Sequence, residues 1–307
     1  MRPGISFIGF GEAGQAMAEG LRDEGVAPIA AFDILFQKAS GGLLIEAAKA
    51  IGVRIASSAA DVVKDAESVT DAQIVIAAVT AASSYEAAQS VAAHLKGSPF
   101  YLDVNSVSPG RKRKTAKLLG DKARYVDVAI VSAIHPARHK SPMMLSGPFA
   151  KEAEPLLGSL GMKTQIVGDK VGEAAAIKMV RSVMIKGIEA LTAECFLAAT
   201  RAGVVDQVAA SMKNNYPTLD WNKISEYNIE RMASHGIRRA AEMREVAETL
   251  RELGIEPLMT TGTIERQQQL GELGRKPAIK DAVTKSRDEM LEAIDAATKT
   301  KPGVRIA

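Results

Sequence analysis

The stretch from Ile5 to Leu21 constrains this chain more than any other. It reads Ile-Ser-Phe-Ile-Gly-Phe-Gly-Glu-Ala-Gly-Gln-Ala-Met-Ala-Glu-Gly-Leu. A short apolar run empties into Gly9-x-Gly11-x-x-Gly14, and an Ala/Met/Leu helix pattern begins at once. Gly9 allows the tight turn, Gly11 lets backbone approach a pyrophosphate, and Gly14 lets helix and strand pack closely. The phosphates then sit on the free N–H groups of the helix N-terminus. Glycine spacing alone is weak. Here a second strand, Ile29-Ala-Ala-Phe-Asp33, ends in an acid 24 positions past Gly9, where a carboxylate can hold the adenosine ribose hydroxyls. Chance glycines in a flexible loop do not account for that context, so a dinucleotide-binding unit is expected. Its contacts are Gly9, Phe10, Gly11, Glu12, Ala13, Gly14 and Asp33. A carboxylate at Asp33 accepts from the 2′-OH of NAD and repels the 2′-phosphate of NADP, whose sites usually offer an Arg. Ile34-Leu-Phe-Gln-Lys38 follows, without Arg. NAD is the expected cofactor, with NADP as the alternative.

At 307 residues the chain is long enough for two domains. Its 47% apolar and 24% charged residues are a globular composition. Net charge is only +3, and the one basic tract, Arg111-Lys-Arg-Lys114, reads as a solvated helix start. No nucleic-acid or membrane partner is therefore expected. Cys195 is the lone cysteine, which leaves no disulfide framework and no thiolate metal cluster. With the first strand at residue 5 and no apolar run of membrane length, a cytoplasmic protein is expected. Among the four histidines, His135 and His139 are four apart, but Pro136 argues against a shared helix face, and no metal is expected. A nucleophile elbow for Ser-His-Asp hydrolysis is missing too.

Up to about residue 168, short apolar runs alternate with helical stretches. Strands are expected at 5–10, 28–33, 53–56, 73–79, 99–103, 124–131, 143–147 and 163–167, with helices at 12–24, 42–51, 83–95, 109–119 and 149–160. That alternation predicts an α/β fold with a Rossmann doubly wound, mostly parallel sheet. Beyond Val171 the patterns are helical only, at 171–202, 204–213, 217–234, 236–253, 260–273 and 279–299, with Gly or Pro between most of them. The expected division is a dinucleotide-binding domain over 1–168 and an all-helical substrate and dimerisation domain over 169–307, joined by a long interdomain helix.

The second informative stretch is Ala174 to Leu197, apolar on nearly every side, which predicts a buried helix. Lysine is rarely buried without a partner or a purpose. At about 100° per residue Lys178, Arg181 and Ser182 share a face, with Lys186 rotated by about 80°. A desolvated lysine can titrate in the range useful for proton transfer. A structural ion pair for Lys178 is the competing reading, and the helix pattern alone leaves both open.

Four motifs in order resemble those of the β-hydroxyacid dehydrogenase superfamily, which includes 3-hydroxyisobutyrate, tartronate semialdehyde and 6-phosphogluconate dehydrogenases. They are the N-terminal Gly9-Phe-Gly11-Glu-Ala-Gly14; Asp103-Val-Asn105-Ser106-Val-Ser108-Pro109, similar to a D-x-S-T-x-x-P substrate loop; Tyr125-Val-Asp127-Val-Ala-Ile-Val-Ser132-Ala133 followed by Gly147; and Gly172-x5-Lys178-Met-Val-Arg181-Ser182. The resemblance implies Lys178 as general acid/base. It also implies Asn105, Ser106, Ser132, Arg181, Ser182 and His235 near substrate, and Val79, Thr80 and Asn105 near cofactor. Val131, Ser132 and Ala133 replace the family's S-G-G, and Arg181 and Ser182 replace two asparagines. Those departures imply retained redox chemistry on an altered substrate.

The expected activity is therefore an NAD-dependent dehydrogenase acting on a β-hydroxyacid-like, aryl or alkyl alcohol. An imine reductase and a non-catalytic NAD-binding regulator are the alternatives. A small-molecule substrate and a homodimer through the helical domain are the expected partners. The loop His135-Pro-Ala-Arg138-His139-Lys140 is read either as a substrate contact or as an exposed basic turn. His235, Arg238, Arg239 and Glu242 form an i, i+3, i+4, i+7 stripe, either a solvated salt-bridge face or part of a binding site. Trp221 and Tyr227 are read as core packing or as the lining of an aromatic pocket.

Overall fold

Eight short apolar runs pair into one sheet: β1 (Ile5–Ile8), β2 (Ile29–Phe32), β3 (Arg54–Ile55), β4 (Ile74–Ala77), β5 (Phe100–Asp103), β6 (Arg124–Ile130), β7 (Met143–Ser146) and β8 (Thr164–Gly168). The computed structural model describes residues 3–64 and 74–298. Residue 73 of the expected fourth strand, residue 299 of the expected last helix and the outer ends of the two expected domains lie outside the described residues. The spatial order is β3-β2-β1-β4-β5-β6-β7-β8. All pairs are parallel except β6 with β7. Strand order reverses between β1 and β4, the switch point at which such sheets open a crevice beyond the strand C-termini.

Helices cover both faces: α1 (Glu12–Asp23), α2 (Gly42–Ile51), α3 (Ala59–Lys64), α4 (Ser84–Ala92), α5 (Pro109–Leu119) and α6 (Ala150–Ser159). Alternate strand residues feed two separate cores. Ile5, Phe7, Ile74, Ile76 and Leu102 pack with Met17 and Leu21 of α1. Ile8, Val75, Ala77, Tyr101 and Tyr125 pack with Ala88 and Val91 of α4, and the two tyrosine rings stack 6.0 Å apart. Inner strands buried on both faces need near-continuous apolar residues, which is why β1, β4 and β5 are readable in the sequence. The six-residue α3 was not expected.

Beyond the sheet come α7 (Glu173–Ala202), α8 (Val205–Met212), α9 (Trp221–Glu252), α10 (Leu258–Leu273), α11 (Pro277–Ala282) and α12 (Arg287–Thr298), with no strand among the described residues. The chain separates into two compact units, Met1–Met179 and Val180–Ala307, with the boundary inside α7.

Four expectations need correction. The basic tract does start α5: Ser108 caps it by accepting the Arg111 N–H at 3.3 Å, and Pro109 occupies the first turn. It is not uniformly solvated, because Lys112 is 1% exposed. Its position falls on the buried stripe with Pro109, Thr115 and Leu119. The stretch around Lys178 is not apolar-buried on all sides. Ile177, Val180, Met184, Ile188 and Leu191, spaced 3, 4, 4 and 3 apart, stay 40–64% exposed. Helices expected to break near Gly236 run on as one, α9. The helix expected over 279–299 is two helices, α11 and α12. Ser286 Oγ accepts the Glu289 N–H at 3.3 Å while the Glu289 carboxylate accepts the Ser286 N–H at 3.2 Å. That reciprocal pairing starts a new helix.

Candidate active site

The glycine turn is built as its sequence requires, for three different reasons. Gly9 has φ +90°, and a Cβ there would meet the Ala78 carbonyl oxygen at 2.4 Å. A Cβ at Gly14 would meet the Gly9 carbonyl oxygen at 2.7 Å. Both glycines are demanded by the protein's own backbone. At Gly11 nothing lies within 4 Å of the Cβ position. Glycine is required there only if something outside the chain approaches, as a pyrophosphate does. Gly11 is also the N-cap of α1 and offers no side chain to the first-turn amides, which are left for an anion.

Asp33 closes this pocket from β2. Its Oδ2 accepts the Phe10 N–H at 2.8 Å and its Oδ1 accepts the Leu35 N–H at 2.9 Å. The carboxylate thus joins the glycine turn to the 3₁₀ turn that follows (Ile34–Gln37). An open Gly11, an uncapped helix start and an oriented acid fit a dinucleotide. Across the switch point, Val79 and Thr80 follow β4, with Thr80 exposed and its Oγ1 3.2 Å from Ser83 Oγ.

Asn105 is 5% exposed. Its Nδ2 donates to Asp103 Oδ1 at 2.8 Å, and its Oδ1 accepts the Val79 N–H at 2.7 Å. The side chain clamps the β4 and β5 loops together, leaving its neighbour Ser106 as the forward group. Lys178 Nζ donates to Ser106 Oγ at 2.6 Å. Two residues expected to share the chemistry are therefore brought together within the first unit. Ser132 is exposed, and its Oγ donates to the Ala133 carbonyl at 3.2 Å.

Sequence reasoning missed the buried charges beneath this pair. Asp103, the last residue of β5, stands beside Asp127, in the middle of β6, as its register partner. Lys112 Nζ lies 3.1 Å from Asp103 Oδ1 and 3.2 Å from Asp127 Oδ1, and donates to the Asp103 carbonyl at 2.5 Å. The Tyr125 hydroxyl donates to Asp103 Oδ2 at 2.7 Å. Asp127 Oδ2 accepts the Gly172 and Ala175 N–H groups and the Ser146 hydroxyl, all at 3.0–3.1 Å. Ser146 Oγ in turn accepts the Ala174 N–H at 3.0 Å. The start of α7, and with it Lys178, hangs on these groups. Two acids on neighbouring strands, with a lysine on a buried helix stripe, were the available signal.

In the helical unit a polar row runs along α7. Arg181 is exposed, whereas Ser182 is buried and accepts from Lys186 Nζ at 3.0 Å. Lys186 pairs with Glu242 of α9 at 3.2 Å, and burial lowers its pKa against the opposing pull of Glu242. Arg239 pairs with Glu189, which also accepts from Gln267 of α10 at 2.8 Å. Arg239 and Glu242 are 6% and 8% exposed, so their part of the stripe is an internal network, not a solvated face. His235 is half-buried on the same helix. Trp221 packs beside the helical core, edge-on to Tyr216 at 5.7 Å, while Tyr227 is 61% exposed.

The 135–140 loop serves α1. Arg138 binds Asp23 at 2.6 Å, Lys140 binds Glu24 at 2.5 Å, and buried His139 packs so closely on Gly20 that a Cβ there would meet its ring at 2.0 Å. These contacts hold the last turns of α1, the end opposite the glycine turn. Among the described residues no helix is long and apolar enough to cross a membrane, and no group of three or more His, Cys, Asp or Glu is placed to hold a metal.

Residues 4–168 match the family model described as the NAD binding domain of 6-phosphogluconate dehydrogenase, and residues 199–270 match a domain of unknown function (DUF1932). A conserved hypothetical protein from Sinorhizobium meliloti 1021 is 32% identical, with 96% of this chain and 97% of that one covered and a TM-score of 0.75. The protein MTH1747, described as structurally similar to 3-hydroxyacid dehydrogenases, is 30% identical over 88% and 97% of the two chains, with a TM-score of 0.68. The 3-hydroxyisobutyrate dehydrogenase of Mycobacterium tuberculosis shares the fold at 17% identity, with a TM-score of 0.69 over 96% and 99%. An imine reductase of Streptomyces aurantiacus does so at 17% and 0.53 over 95% and 99%. The first unit is thus a nicotinamide dinucleotide-binding domain, and the chain as a whole belongs to the β-hydroxyacid dehydrogenase superfamily.

Proposed function

We propose that this protein is an NAD-dependent oxidoreductase acting on an alcohol, β-hydroxyacid-like, aryl or alkyl, or on the matching carbonyl. The observation that carries the reading is the Lys178–Ser106 pair at 2.6 Å, mounted on a helix start anchored by buried charges. When bound, the cofactor accepts or supplies the hydride. Gly9 to Gly14 and Asp33 hold its pyrophosphate and ribose, with Val79 and Thr80 across the switch point. Lys178 takes the hydroxyl proton in oxidation and returns it in reduction. Ser106 orients Lys178 and the substrate oxygen. Ser132 is the candidate contact for the rest of the substrate in this unit. The replaced S-G-G segment favours a substrate other than 3-hydroxyisobutyrate.

The test is turnover of hydroxyacids, aryl alcohols and cyclic imines with NAD and NADP, on the wild type and on two variants. Lys178→Ala should lower turnover by roughly 100- to 10,000-fold, the usual worth of a positioned proton-transfer group, with NAD affinity unchanged. Lys178→Arg should fail nearly as badly, because a guanidinium does not deprotonate near neutral pH. Near-normal turnover by the arginine variant would make Lys178 a structural cation. Turnover of imines alone would move the reading to an imine reductase, and NAD binding without any turnover would leave a regulator.

A further inference from the structure

Buried charge is costly unless it is closely paired, and Lys112, Asp103 and Asp127 are each no more than 1% exposed. Their contacts form a closed ring through the first unit. Starting at the Val79 amide in the β4 loop, the ring passes to Asn105, to Asp103, to Lys112 and to Asp127. Asp127 holds the Gly172 and Ala175 amides at the start of α7. One turn on, Lys178 reaches back to Ser106, the residue next to Asn105. The Val79 loop, the Asn105–Ser106 loop and the start of α7 with Lys178 are all tied to this ring. Stability alone would be served as well by apolar side chains of similar volume. What an ionic ring adds is a fixed register between segments far apart in sequence.

We propose that Lys112, acting through Asp127, is a positioning residue. It sets where α7 begins and therefore where Lys178 Nζ stands relative to Ser106 and the Val79 loop. Lys112 touches neither substrate nor cofactor and moves no proton itself. The inference rests on the reading of Lys178 as acid/base. A displacement of about 1 Å at a reacting group can cost about 100-fold in rate, so small slippage of the helix start is enough to matter.

Two variants test it. Lys112→Met removes the cation. Asp127→Asn keeps an acceptor for the α7 amides but turns an amide towards Lys112, and is the milder change. For each, the full chain is checked for fold by circular dichroism, for NAD affinity by fluorescence, and for the rate and pH profile of Lys178 acylation by peptide mass spectrometry. Turnover is then measured on the wild-type substrate. The expected result is a folded Asp127→Asn protein with NAD affinity within about twofold of wild type. Its kcat should fall roughly 10- to 100-fold, and its Lys178 acylation profile should shift. Wild-type acylation and kcat in a folded variant would overturn the proposal. Outright unfolding of both variants would also overturn it, by assigning the ring to stability alone. The acylation arm needs no turnover. If the wild type has no alcohol substrate, the functional reading fails while acylation still decides the role of Lys112.

Discussion

Asp33 does two jobs with one carboxylate. Each oxygen is fixed by a backbone N–H, from Phe10 and from Leu35, so the acid is oriented before any ribose arrives. A hydrogen bond to a charged group is worth about 1.5–3 kcal/mol. Asp33→Ala should therefore weaken NAD binding by roughly 10- to 100-fold, while relief of charge repulsion narrows the gap to NADP. Fluorescence titration of both cofactors checks this, and tighter NADP binding by the wild type would reverse the preference proposed. Backbone demands were legible where they are local, as at Gly9 and Gly14. Side-chain roles were illegible where the need is set by distant segments. Lys112 sits in a run of four basic residues, and such runs usually face water. Only the pairing of β5 with β6, which sets Asp103 beside Asp127, shows why this one turns inward.

Among the elements, the inner strands were readable because each is a short apolar run bounded by turn residues. Helix ends were less so. Gly236 reads as a stop signal, yet it lies inside α9 because α10 passes against it. A Cβ at Gly236 would meet the Gln267 carbonyl oxygen at 2.2 Å and the Gly271 nitrogen at 2.8 Å. The glycine serves close helix packing, a purpose that only the partner helix reveals. Gly236→Ala should therefore destabilise by about 1–3 kcal/mol, the usual cost of overpacking, despite alanine's better helix propensity. Gly262 in α10 is the control, since nothing lies within 4 Å of its Cβ position. There, alanine should stabilise by about 0.5–1 kcal/mol. Melting temperatures of the two variants should move in opposite directions.

At the scale of the whole molecule, α7 leaves a row of large apolar side chains in water, from Ile177 to Leu191. Lone exposed apolar residues are ordinary, but an aligned row on one helix marks an association surface. We propose that it is covered by a second copy, giving a homodimer through the helical unit. Met184, at 64% exposed, has room for a lysine in the monomer. Met184→Lys should leave the melting curve of the dilute protein little changed and shift its mass by light scattering from dimer to monomer. A monomeric wild type at micromolar concentration would rule the dimer out.

The stacked Tyr101 and Tyr125 set an alkaline limit on the sheet unit. Burial first, and the Asp103 charge second, push both phenols well above their ordinary 10.0. Folded, these groups keep protons that the unfolded chain gives up near pH 10. Their contribution to stability is complete below that pH and drains away as pH rises further. Of the five tyrosines, these two should stay silent in a phenolate absorbance titration until the unit opens, and then titrate together with the loss of its fold.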